Sequence, residues 1–146
     1  MLALATTQAL GKELLFSSVG TVAHALRHTL GTVVNFLYHE DQFKHLLEDV
    51  QDLNLDTDVA LIEEIVTELD PQQRCLQLTV KQLHQALDAM HGALKGLHQQ
   101  MAAHQLLWFS YYRTFDHDLH LQRLRRCKKR MDHQFARLIS VRQLFP

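Results

Sequence analysis

The chain has few of the residues that interrupt helices. Five glycines and two prolines stand in 146 residues, which excludes collagenous and low-complexity classes. Two cysteines are too few for a disulfide scaffold, so an intracellular, cytoplasmic setting is the expectation. Strand signals are missing as well, since no alternating β-branched run persists for five residues. Nor is there a long apolar run. Residues 14–26 are apolar, but Arg27 and His28 close that stretch after 13 residues, against the roughly 20 that a membrane span needs. Lys12 is cancelled by Glu13, so the positive start of a secretory signal is absent too.

What is present is a core. Apolar residues make up 47% of the chain and charged residues 21%, enough for one packed domain over residues 1–146 and too apolar for disorder. The net charge is −1, but it is unevenly placed. Residues 1–70 carry three basic side chains, Lys12, Arg27 and Lys44, against twelve acidic ones. Residues 71–146 carry twelve basic against four acidic. Halves of opposite sign attract, and pairing inside the monomer is the simplest outcome.

Hydrophobic spacing predicts helices throughout. Leu15, Val19, Val22, Leu26, Leu30, Val33 and Leu37 recur at three- and four-residue steps, one stripe of a helix over residues 7–38. Gly20 and Gly31 fall on one side of it and predict either a close helix approach or a local weakness. Phe43, Leu46, Leu47 and Val50 predict a second helix over 41–53. Residues 52–58 read as a connector because Asn and Asp compete for backbone hydrogen bonds. Val59, Ile62, Ile65 and Val66 predict a third helix over 58–69.

The strongest signal follows. Asp70, Pro71 and Gln73 form a helix start, with Asp70 as the cap and Pro71 at the first position. From there Leu76, Val80, Leu83, Leu87, Met90, Leu94, Leu97, Met101, His104, Trp108, Tyr111 and Phe115 make an unbroken heptad seam. A second seam, out of phase, comprises Leu121, Leu124, Lys128, Met131, Phe135, Leu138, Arg142 and Phe145. The residues between, Asp116, His117 and Asp118, include no Gly or Pro, which favours a stutter in one rod over a tight turn. The expected fold is all-α: an elongated bundle or coiled-coil-like hairpin built on a long helix beginning near Pro71.

With Leu76 at position d, the e positions are Gln77, His84, His91, His98, Gln105 and Tyr112, and the g positions are Thr79, Ala86, Ala93, Gln100, Leu107 and Thr114. None carries a full charge. A wide uncharged flank suits packing against several helices better than a two-stranded coil. The leading expectation for function is therefore a non-enzymatic scaffold or adaptor that assembles with itself or with a protein partner. Its interface would be the face of Leu94, Leu97, Met101, His104, Trp108, Tyr111, Tyr112 and Phe115.

Eleven histidines invite a metal-binding or pH-sensing alternative. His84, His91 and His98 are seven residues apart, about 10 Å of helical rise, too far to share one ion. His24 and His28, at i and i+4, and the cluster Asp116, His117, Asp118 and His120 have better spacing but lack a further fixed ligand. The Glu-x-x-His pairs of di-iron bundles are absent. No nucleophile constellation or phosphate-binding glycine loop is present, so neither an enzyme nor a cofactor is expected. Cys127, among cations, would be an activated thiol or an incidental one.

Residues 123–130 contain six cations: Arg123, Arg125, Arg126, Lys128, Lys129 and Arg130. Pairing with the acidic half competes there with contact to an anionic membrane surface, for which clusters of this size suffice. Nucleic acid is the weaker expectation, because the overall charge is near zero and no recognition motif frames the run. Residues 111–138, YYRTFDHDLHLQRLRRCKKRMDHQFARL, resemble the late helices of sorting-nexin BAR domains in placing aromatic positions ahead of a basic run. That resemblance implies an antiparallel dimer touching curved membrane through residues 123–130.

Overall fold

The computed structural model describes residues 2–106 and 118–144, with side chains from residue 13 onward. All regular structure among them is helical. Helix α1 spans Leu2–His39. A single 3-10 turn, Asp41–Phe43, leads into the short α2, Lys44–Gln51. Helix α3 is Leu55–Thr67, α4 is Arg74–Gln105 and α5 is Asp118–Leu144.

The starts of α3 and α4 differ from expectation for local reasons. Asn54 adopts a left-handed backbone (φ 53°), a conformation that Asn tolerates better than most residues. The reversal it makes lets α3 begin at Leu55 and bury that leucine. Asp70 does not cap α4. Its carboxylate accepts from the Gln72 amide at 3.0 Å, closing an Asx turn before the helix. Helix α4 then starts at Arg74, three residues later than Pro71 had suggested, with Gln77 Nε2 reaching back to the Pro71 carbonyl at 2.6 Å.

Four long helices, α1, α3, α4 and α5, alternate in direction around one core. Helices α1 and α4 lie parallel and keep step by heptads. Thr29 meets His91 (2.9 Å between Oγ1 and Nε2), and seven residues further along both helices Phe36 meets His98 edge-on at 5.7 Å. At the top of the pair, Gln105 Nε2 donates to Glu40 Oε1 at 2.6 Å. Helix α3 runs back along α1, with Leu55 beside Leu30 at one end and Val66 beside Phe16 at the other.

Helix α5 runs antiparallel to α4. Cys127 Sγ approaches the Ala89 carbonyl at 3.8 Å, and Arg137 donates to Gln82 Oε1 at 3.4 Å. The stutter expected at residues 116–118 is therefore overturned: α4 and α5 are the two arms of a hairpin, not one rod. The regular part of α4 ends at Gln105, about 48 Å after it begins at 1.5 Å per residue. Residues 107–117, including the end of the expected shaft, lie outside the described residues.

The core joins all five helices. Val19, Leu26, Val33, Leu46, Val59, Ile62, Leu87, Leu97, Leu124 and Met131 are among its buried members. Gly20 and Gly31 sit inside an uninterrupted α1, and a Cβ on either would meet nothing within 4 Å. Neither the close approach nor the break expected there occurs. No helix among the described residues is long and apolar enough to cross a membrane.

Candidate functional site

The expected apolar interface divides in two. Leu94, Leu97 and Met101 are fully buried and His104 is 9% exposed, all within this chain's own bundle. The half of the face carried by these four residues is thus core, covered by neighbouring helices instead of by a partner. Trp108, Tyr111, Tyr112 and Phe115 lie outside the described residues. The histidine flank is likewise internal at its centre: His91 hydrogen-bonds Thr29, and His98 packs on Phe36. Partial burial, then the nearby Lys95 charge, hold the His91 imidazole below its ordinary pKa, with Asp88 opposing them. Among the described residues no group of three or more His, Cys, Asp or Glu converges on a metal-sized site.

The basic run of α5 is also divided, and here the division matters for function. One edge of the helix is turned onto the acidic α2–α3 side of the bundle. Arg125 reaches Asp49 at 3.7 Å, Lys128 reaches Asp58 at 2.6 Å, and Arg142 reaches Glu68 at 3.3 Å. Lys128 is the most committed of these cations. Its side chain is 13% exposed and its ammonium also contacts Asp132 at 2.7 Å, one helical turn away. Burial disfavours its charge, yet hydrogen bonds to Asp132 and Asp58 outweigh that and hold its pKa above the usual lysine value.

The opposite face of α5 is turned to water. Arg126, Lys129 and Arg130 are exposed and make no ion pair or hydrogen bond among the described residues. His133 and Arg137 continue the same stripe at three- and four-residue steps, and both are exposed. Arg137's hydrogen bond goes to an uncharged glutamine, so its charge is uncompensated. Arg123 flanks the stripe where α5 passes Gly96, its Nη1 lying 3.5 Å from the place a Cβ would occupy. Cys127 points the other way, onto α4. The stripe ends in apolar residues at both extremities: Leu119 is 70% exposed and Leu144 is 74% exposed.

Of the six cations singled out in the sequence, the structure thus brings Arg126, Lys129 and Arg130 together on one outward face and draws Arg125 and Lys128 off it. His133, Arg137, Leu119 and Leu144 were missed. The signal for them was available, because positions 119, 126, 130, 133, 137 and 144 share a helical face; counting charges in a contiguous run concealed it.

Compared with protein-family models, with curated proteins and with solved structures, the chain matches none. The likeness to sorting-nexin BAR helices thus gains no support from the comparisons, and the described part of that stretch is one arm of a helical bundle that turns Arg125 and Lys128 toward Asp49 and Asp58 of α2 and α3.

Proposed function

We propose that this protein is a non-enzymatic helical scaffold or adaptor that docks onto an acidic surface through the outer face of α5. The observation that carries the reading is the row of uncompensated cations Arg126, Lys129, Arg130 and Arg137 on the side of α5 turned away from the core. Their exclusion from the internal ion pairs supports a role outside the fold. Charged groups already committed to α2 and α3 hold the bundle together, whereas these four add self-repulsion that an acidic partner would relieve. A four-helix frame presents such a row rigidly, which lowers the ordering cost of binding.

The apolar reading of the interface loses four of its eight residues to the core, so the docking face moves from α4 to α5. The test is charge reversal. The triple variant R126E/K129E/R130E should leave the helical circular dichroism unchanged and the unfolding free energy within about 0.5 kcal/mol of wild type per substitution, as expected of exposed positions. The same variant should lose retention of the full chain on acidic supports, polyanion beads and anionic vesicles alike. Unchanged retention on every such support with the triple variant would remove α5 as the docking face.

A further inference from the structure

We propose that the acidic surface met by α5 is an anionic lipid bilayer, and this rests on the reading of its outer face as the docking face. Three features of that face point to a bilayer. First, its cations lie along one side of a single helix, with Arg126, Arg130 and Arg137 in line and Lys129 at their flank, and no carboxylate of α5 interrupts them: Asp132 is committed to Lys128 and Asp118 is the helix's first residue. Cations spread along one side of a helix match a flat field of headgroups, for which clusters of surface cations supply the attraction.

Second, the row is bracketed by Leu119 and Leu144, both largely in water. They are 25 residues apart, about 37 Å along the helix axis. A bilayer interface accepts apolar side chains wherever they fall. A folded acidic protein would need two pockets at that separation, and a nucleic-acid backbone offers none. The leucines therefore discriminate between occupants that the cations alone would not.

Third, the bundle is electrically polarised across the contact. Asp49, Asp58 and Glu68 pair with Arg125, Lys128 and Arg142 on the side of α5 that meets α2–α3, whereas Arg126, Lys129 and Arg130 have no carboxylate partner among the described residues. The net charge of −1 does not prevent the contact, because screening limits each charge to about 8 Å at physiological salt and the cations of the outer face are the charges nearest the surface. The contact is peripheral: the core-facing side of α5, with Leu121, Leu124, Met131 and Leu138 buried, stays in the bundle while the polar side touches headgroups.

The experiment is vesicle flotation with the full chain, using phosphatidylcholine vesicles with and without phosphatidylserine, beside retention on polyglutamate beads and on duplex DNA beads. The expected result is flotation that requires phosphatidylserine, weakens at high salt, and falls by at least about a hundredfold in R126E/K129E/R130E, since losing three surface cations already implies that much before the added carboxylates repel the surface. The variant L119S/L144S, which leaves every charge in place, should weaken flotation several-fold without changing retention on polyglutamate. Retention on polyglutamate or DNA through the same cations, with no flotation, would overturn the bilayer while leaving α5 as a docking face. Binding to none of the three supports would overturn both. Flotation indifferent to the triple charge reversal would overturn the bilayer contact proposed for this face.

Discussion

Helices α4 and α5 are the two arms of one hairpin, yet they use their residues in different ways. Helix α4 buries twelve of its 32 residues, and α5 buries four of its 27. Helix α4 is held from two sides, by α1 in parallel and by α5 in antiparallel register, so its stability comes from apolar area removed from water. Helix α5 has one apolar strip on α4, one ion-paired edge on α2–α3 and one free edge. The lesson is that equal amphipathic length does not mean equal burial. The arm with a central place in the bundle takes the core, and the arm at its margin is left with surface for other uses.

The largest effect that would sharpen this contrast is truncation in α4. Leu94→Ala, at a fully buried position, should cost about 3 kcal/mol by loss of transfer energy and creation of a cavity. Chemical denaturation measures it as a shift in midpoint. Next comes the ion-paired edge of α5. Lys128→Ala removes both contacts to Asp58 and Asp132. Because both carboxylates keep access to water, the expected loss is about 1 kcal/mol, and it should shrink in high salt. A loss as large as that of Leu94→Ala would erase the distinction between the two arms.

Smaller still is a gain. Gly31 is exposed within α1 and has open space where a Cβ would stand. Gly31→Ala should therefore raise stability by about 0.7 kcal/mol through helix propensity alone, seen as a higher melting temperature. The smallest effect is the pH slope of the α1–α4 seam. Because the fold lowers the His91 pKa from 6.5, the unfolded chain takes up a proton more readily than the folded one. Stability should then be constant above that value, fall as pH drops from 6.5 to the lowered folded value, and level off below it. The difference between wild type and His91→Gln over that window isolates the contribution, and a difference of opposite sign would contradict the burial of His91 between the helices.

Much of this architecture was legible before folding. The stripe from Leu15 to Leu37 and the seam from Leu76 to Met101 became the facing strips of α1 and α4, because three- and four-residue spacing leaves a helix only one side to bury. The heptad flank free of charge correctly indicated several neighbours instead of one coiled partner. Errors arose where local cues compete. Asp70 and Pro71 promised a helix start that an Asx turn took instead. Residues 52–58 looked like a linker, but the turn takes only Asp52, Leu53 and the left-handed Asn54, and α3 begins at Leu55. The absence of Gly and Pro around 116–118 suggested continuity, whereas reversal of direction between α4 and α5 requires only that both bury their strips against each other.

Periodicity and composition were thus enough to dictate that this chain is helical and which side of each helix is apolar, since those properties follow from neighbours within one or two turns. Which helices meet, in which direction, and which cations are left over depended on contacts between residues far apart in the chain, such as Thr29 with His91, Ala89 with Cys127 and Asp58 with Lys128. Helical spacing places a side chain on a face, but only packing decides whether that face looks at another helix or at water. That is why Leu94 to His104, an apparent interface, became core, and why Arg126, Lys129 and Arg130, lost in a crowded basic run, emerged as the open face.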